Sequence, residues 1–312
     1  MPLPSAPERI EKITRHGVLL AGFTTWRVGG RARMLITPHD SDEASLALRW
    51  LASQGLRYYV LGGGSNTLVA DGEIDVPIIS TRSIDSVSFS REGGNILISC
   101  GAGVSLKKLF ALSVSEGWGG LEFAAGIPGT VGGAVMGNAG TREGEISQAV
   151  QSVEATGADG RTRAAGRDEI EWGYRRCGLA ERGPLVISSA VLRLRESTRE
   201  AVRRAAKQTL ERRKSQPLGA RTAGCVFKNP VGGKAGRLLE EAGCKGLSVG
   251  GAVVSELHAN FIENRANCTA TDIATLAALC QDKVYKKFGV TLSFEIKPVG
   301  FERRFMEDDA RT

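Results

Sequence analysis

Apolar and polar residues alternate along the chain in patterns that mark its elements. Between Ser41 and Ser53, Ala44, Leu48 and Leu51 recur at the spacing of one helix face, and Ser41 stands where a serine cap would. Residues 57–61, 76–80 and 96–100 read as short strands rich in β-formers. Residues 153–163 read as a hairpin turning at Asp159-Gly160, and 185–195 as a long strand whose later part alternates. Ser197-x-x-Glu200 has the form of a capping box and predicts a helix to about Ser215, where Gln216-Pro217 stops it. A second helix follows Ala235 and ends near Gly243. A third starts near Thr271-Asp272, carries Ile273, Leu276, Leu279, Cys280, Val284 and Phe288, and ends at Gly289. Strands, then helices, then strands, without regular βα alternation or an internal repeat, predict an α+β protein.

Length and composition narrow the class. The 312 residues suit two or three domains with a sizeable core. No apolar run approaches the roughly 18 residues of a membrane span, and Pro2, Pro4 and Pro7 precede mixed charges rather than a signal-peptide h-region. The six cysteines (100, 177, 225, 244, 268 and 280) are scattered without C-x-x-C, which argues against a metal site and against a disulfide framework. A soluble, cytoplasmic protein with reduced thiols is expected. The net charge is +7, but ten basic and three acidic residues lie between Arg193 and Arg221, and the remainder balances at 31 of each sign. So local an excess suits a small polyanion, or a solvated helix face, better than the broad footprint of a nucleic-acid binder. Aromatics at 6% also disfavour a stacking platform for single strands.

Glycine is the anomaly: there are 40, ten of them between Gly117 and Gly144. Such segments let backbone N–H groups gather with no Cβ in the way, as a diphosphate or the edge of a heterocycle requires; tight turns and close packing are the competing use. Two familiar nucleotide loops are excluded. A G-x-G-x-x-G from Gly62 meets Thr67, one from Gly101 meets Leu106, and Gly233-Lys234 is followed by Ala235 rather than Ser or Thr.

Thr24-Thr-Trp-Arg-Val-Gly-Gly30, Leu61-Gly-Gly-Gly-Ser-Asn66, Gly126-Ile-Pro-Gly-Thr-Val-Gly-Gly133, Tyr174-Arg175, Ala223-Gly-Cys-Val-Phe-Lys-Asn-Pro230, Gly250-Gly251 and His258-Ala-Asn260 follow one another in a fixed order. In this the chain resembles the UDP-N-acetylenolpyruvoylglucosamine reductases over roughly residues 20–300. The resemblance implies an FAD-binding fold of the vanillyl-alcohol-oxidase (PCMH) type in two subdomains, 1–80 and 81–210, with a C-terminal α+β substrate domain at 211–289. A last strand within 290–312 would return to the first subdomain. It implies non-covalent FAD, NADPH as hydride donor, a UDP-sugar substrate, a monomer without nucleic-acid or membrane partners, and a role in peptidoglycan synthesis, hence in cell shape and division. The short link from Asn229-Pro230 to Ala235 resembles the subclass without a large tyrosine-bearing insertion.

The same resemblance assigns residues. Gly62, Gly63, Gly64, Ser65 and Asn66, with Gly126, Ile127, Pro128, Gly129, Gly132, Gly133 and Ala134, would hold the flavin, with Asn138 and Ala139 nearby. Hydride addition to an enolpyruvyl double bond leaves negative charge on the α-carbon and its carboxylate, so a cation must meet it and an acid must quench it. Arg175 would be the stabiliser, with Arg176 as competitor; Glu295 would assist the carbanion or its protonation. Cys225 stands where the family's proton donor is serine. Lys214 would meet the substrate diphosphate, and Tyr174, Asn229, His258 and Asn260 would line the substrate. The chain departs from the family at Cys225 and at Thr141-Arg-Glu143, where Ala-Tyr-Gly is common. The alternative is a flavin- or nucleotide-binding homologue with impaired catalysis; a histidine-linked oxidase is disfavoured because His16, His39 and His258 all lie outside both glycine loops.

Overall fold

The computed structural model describes residues 3, 4 and 6–301. The chain divides into two compact units that interleave in sequence: one takes residues up to 16, 34–63 and 76–212, the other 17–33, 64–75 and 213 onward. Of the last strand expected within 290–312, Lys297–Val299 is seen, and residues after Phe301 lie outside the described residues.

Two larger sheets shape the first unit. In the smaller, Tyr59–Leu61 and Leu35–Ile36 run parallel to Ile78–Ser80 on either side, and Thr14–Arg15 pairs antiparallel at the edge. In the larger, the expected long strand, Leu185–Glu196, is central. It pairs antiparallel with Asn95–Gly101 and with Val150–Gly157, which forms the Asp159-Gly160 hairpin with Thr162–Gly166. Ile96, Ile98, Val153, Ala190, Leu192 and Leu194 are among the buried residues of one core shared with the helices Leu106–Glu116 and Val131–Met136.

The second unit packs the helices Ala235–Glu241 and Ala270–Phe288 with the antiparallel strands Ser248–Val249, Ala252–Val254 and Ile262–Asn264. Early segments complete it. Trp26 is fully buried in this core and donates Nε1–H to the Ile262 carbonyl at 2.7 Å. Thr67–Val69 pairs parallel with Lys297–Val299. Asp71 takes the N–H groups of Ala270 and Thr271 and the Thr271 hydroxyl at 2.8–3.0 Å, adding a second carboxylate to the helix end that Thr269 and Asp272 already close as a capping box.

Helix starts differ from the sequence expectation by one or two residues. Asp40, not Ser41, caps Ser41–Ser53, accepting from Glu43 N at 2.8 Å. Thr198 Oγ1 accepts from Ala201 N at 3.1 Å, so the basic helix is Arg199–Arg212 and ends before Ser215. In both places adjacent residues have capping chemistry, and the backbone path decides between them.

Candidate functional site

In the first unit the two glycine segments lie face to face. A Cβ on Gly62 would come 2.7 Å from Thr130 Oγ1, and one on Gly63 would come 2.6 Å from the Gly129 Cα. Neither glycine has a positive φ, so what it supplies is room. Gly126 and Gly129 do lie at positive φ, 75° and 115°, and turn the second segment around Ile127 and Pro128 into the Val131–Met136 helix, which contains Gly132, Gly133 and Ala134.

Behind the first segment stands Arg82, just past the strand Ile78–Ser80. Its Nε donates to Gly62 O at 3.2 Å and its Nη2 to Gly63 O at 3.1 Å, which holds both carbonyls on the guanidinium. Among the described residues, the backbone N–H groups of Gly63, Gly129 and Thr130 in this unit donate to no protein acceptor. The buried Thr130 hydroxyl also has no partner. Unspent donors along glycine loops are the backbone pattern that phosphate oxygens take up. The residues therefore fit the diphosphate of the implied flavin nucleotide. Arg82 carries no sequence signal, being a lone residue outside any motif, whereas Thr130 lies within the Gly126–Gly133 motif but is not among the residues the resemblance assigns. Ala139 donates its N–H to Ala134 O at 2.8 Å, while Asn138 is fully buried with φ 40°.

Tyr174 and Arg175 form the tip of a small hairpin made by Trp172–Gly173 and Arg176–Cys177. Arg175 adopts φ 54°, and its guanidinium carbon lies 5.3 Å from the centroid of the exposed Tyr174 ring. Arg176 is bound to Glu181 at 2.6 Å and to both oxygens of Glu171 at 2.8 and 3.2 Å, and these partners, Glu181 first, raise its pKa above the ordinary arginine value. Of the two adjacent arginines, Arg176 is thus a strut of the hairpin and Arg175 stands at its tip.

In the second unit, Cys225 belongs to a segment that runs beside residues 293–296. Glu295 donates its N–H to Val226 O at 2.8 Å, Lys228 donates to Ser293 O at 2.9 Å, and the Phe227 and Phe294 rings stack at 5.2 Å. Two half-buried residues 70 positions apart, Cys225 and Glu295, are thereby set on neighbouring backbone. Asn66 joins them, donating Nδ2–H to Glu295 O at 3.0 Å and accepting from Lys297 N at 2.9 Å.

Asn260 is buried beneath that segment. Its Oδ1 accepts from Phe227 N at 2.9 Å, its Nδ2 donates to Phe227 O at 2.8 Å, and its carbonyl accepts from Val226 N, so its amide is spent on the backbone next to Cys225. His258 Nδ1 accepts from Asn260 N at 3.2 Å, and its ring meets Phe261 edge-on at 5.0 Å. Burial, and then the nearby Lys245 charge, lowers the His258 pKa. Asn229 Oδ1 accepts from Ala235 N at 3.0 Å where the Ala235–Glu241 helix begins. Lys214 lies exposed just beyond the basic helix. Among the described residues, no cluster of His, Cys, Asp and Glu is placed to hold a metal ion, and no helix is long and apolar enough to cross a membrane.

Comparisons with known proteins point one way. Residues 216–299 match the family model described as "UDP-N-acetylenolpyruvoylglucosamine reductase, C-terminal domain", and residues 32–166 match that of an FAD binding domain. The chain is 42% identical over 291 residues to a UDP-N-acetylenolpyruvoylglucosamine reductase of Moorella thermoacetica, covering 93% of this chain and 92% of the relative. It is 40% identical over 288 residues to the Syntrophobacter fumaroxidans protein of that name, covering 91% and 83%. A crystal structure of the Thermus caldophilus reductase superposes with a TM-score of 0.76 at 35% identity, covering 90% of this chain and 97% of that one.

Proposed function

The chain belongs to the UDP-N-acetylenolpyruvoylglucosamine reductase family, and from that premise we propose that it reduces the enolpyruvyl ether of UDP-N-acetylglucosamine enolpyruvate to UDP-N-acetylmuramate. It is an FAD-dependent oxidoreductase of α+β fold, with an FAD-binding domain of the vanillyl-alcohol-oxidase type. The observation that carries the reading is the pair of apposed glycine segments with their unspent N–H groups and the Arg82 fork behind them.

FAD, once bound and reduced by NADPH, supplies the hydride for the enolpyruvyl double bond. The remaining work falls to side chains of this chain. The backbone N–H groups of Gly63, Gly129 and Thr130 hold the cofactor diphosphate. Arg175, at the hairpin tip, meets the negative charge that grows on the substrate carboxylate and α-carbon. Cys225 gives its thiol proton to that carbon and becomes a thiolate, which solvent reprotonates. Glu295, on the backbone next to Cys225, assists that proton transfer. Asn229 and Lys214 take the substrate's polar groups and diphosphate, and Tyr174 also binds the substrate. Asn260 and His258 support the Cys225 segment from below. The protein acts as a cytoplasmic monomer in cell-wall biogenesis, upstream of cell shape and division.

The visible spectrum of the purified protein tests the reading first. A yellow protein whose flavin is released entirely by acid precipitation, is reduced by NADPH and is reoxidised by the enolpyruvyl substrate supports it. A colourless protein that cannot be reconstituted with FAD refutes it, as does flavin that stays with the pellet.

A further inference from the structure

Arg175 holds an uncommon backbone conformation. It is the second residue of the two-residue turn between Gly173 and Arg176, and its φ of 54° is one that glycine usually supplies at this position. A side-chain-bearing residue stays in such a conformation only where its surroundings hold it there. One strand of the hairpin is held by Glu171 and Glu181 on Arg176. The other is held from outside. Asn138 donates Nδ2–H to Gly173 O at 3.0 Å, and that carbonyl belongs to the peptide plane leading into Tyr174.

The other bonds of Asn138 hold it to its own surroundings. Its N–H goes to Val135 O at 3.1 Å, at the end of the Val131–Met136 helix, and its Oδ1 accepts from Ser147 N at 3.3 Å. The side chain is fully buried, and φ 40° places it in the left-handed region, which asparagine tolerates better than most residues. One amide therefore ties the hairpin to the segment that follows the glycine loop and to residues 146–148.

We infer that Asn138 is a positioning residue for Arg175: by fixing the peptide plane of Gly173 it keeps the strained tip from relaxing and aims the guanidinium at the substrate. The inference rests on the proposed role of Arg175. Because Asn138 acts through a group whose charge counts most as negative charge develops, its loss should appear in kcat more than in KM.

The test is a double-mutant cycle on the full-length holoenzyme, read as single-turnover reoxidation by the enolpyruvyl substrate and as steady-state kcat and KM. Asn138→Gly permits the positive φ and removes the amide. Asn138→Asp keeps the size and the acceptor for Ser147 but cannot donate to Gly173, so it serves if the glycine variant folds poorly. Either variant should lower kcat at least tenfold with KM within about threefold. In an Arg175→Ala background the same change should cost less than about twofold. Parent-like kcat in both Asn138 variants overturns the inference, and so does a full, additive loss in the Arg175→Ala background. A parent-like rate for Arg175→Ala alone removes the role of Arg175, and the inference with it, and that single variant reveals this without touching Asn138.

Discussion

Gly63→Ala is the most direct perturbation of the proposed cofactor cradle. Its new methyl would sit 2.6 Å from the Gly129 Cα and 3.0 Å from the Gly129 carbonyl carbon. Ordinary contact begins at about 3.4–4 Å, so the two segments must part by roughly 1 Å. The colliding atoms are backbone, which cannot swing aside, and the φ of Gly63 is not positive, so the whole cost is this overlap. Overpacking of this kind costs about 1–3 kcal/mol. If apposition of the segments is what FAD binding requires, that cost falls on the bound state and FAD affinity drops about 5- to 150-fold. Titration of apo-protein with FAD, followed by flavin fluorescence, measures it directly. Gly62→Ala is the milder comparison, because the one short contact of its methyl is the Thr130 hydroxyl at 2.7 Å, the end of a side chain that can turn, and its loss of affinity should be smaller. FAD binding by Gly63→Ala within twofold of the parent would show that the two segments need not stay together, and the reasoning would fail.

Cys225→Ala should leave NADPH reduction of the flavin nearly intact but slow reoxidation by substrate at least a hundredfold, the typical scale of general-acid catalysis, while Cys225→Ser keeps much of the activity. Stopped-flow separation of the half-reactions decides this, and reoxidation within tenfold of parent would leave the thiol a packing residue. Lys214→Ala should raise KM more than it lowers kcat; an unchanged KM at several salt concentrations removes the lysine from the substrate site. His258 has a folded pKa below its ordinary 6.5, so near and below that pH the unfolded chain binds the extra proton. Stability should be complete above about pH 6.5, decline as pH falls through it, and level off below the folded pKa. Urea midpoints across that range should show a shallower decline in His258→Gln, and an identical decline would exclude this histidine as its source.

Local features were readable from the chain. The Asp159-Gly160 hairpin, the long strand at 185–196 and the helix ending at Gly289 are set by near neighbours, and periodicity and turn chemistry describe them. The glycine segments were also conspicuous, but their apposition was not, because it depends on residues almost 70 positions apart. Arg82 illustrates the limit: its fork acts on carbonyls, and carbonyls carry no sequence identity. Asn138 and Asn260 show another. The family resemblance assigns both to ligands, whereas their buried amides bond to backbone, Asn138 to Gly173 and Ser147, Asn260 to Phe227. Which groups a buried amide meets is decided by long-range packing.

The interleaving of the two units also constrains how the protein can be made. The first unit has all its segments once Arg212 has left the ribosome, but the second begins with residues 17–33 and ends with the strand at 297–299. Trp26 and Leu68, both fully buried in its finished core, must wait for partners such as Ile262, Leu276 and Leu292. Between the exit of Asp75 and that of Val299 lie roughly 220 residues, about 11–45 s of elongation at ~5–20 residues per second. During that interval a tryptophan, a leucine and the unpaired edge of Thr67–Val69 remain uncovered on a nascent chain whose first unit can already have folded around the gap in its own sequence.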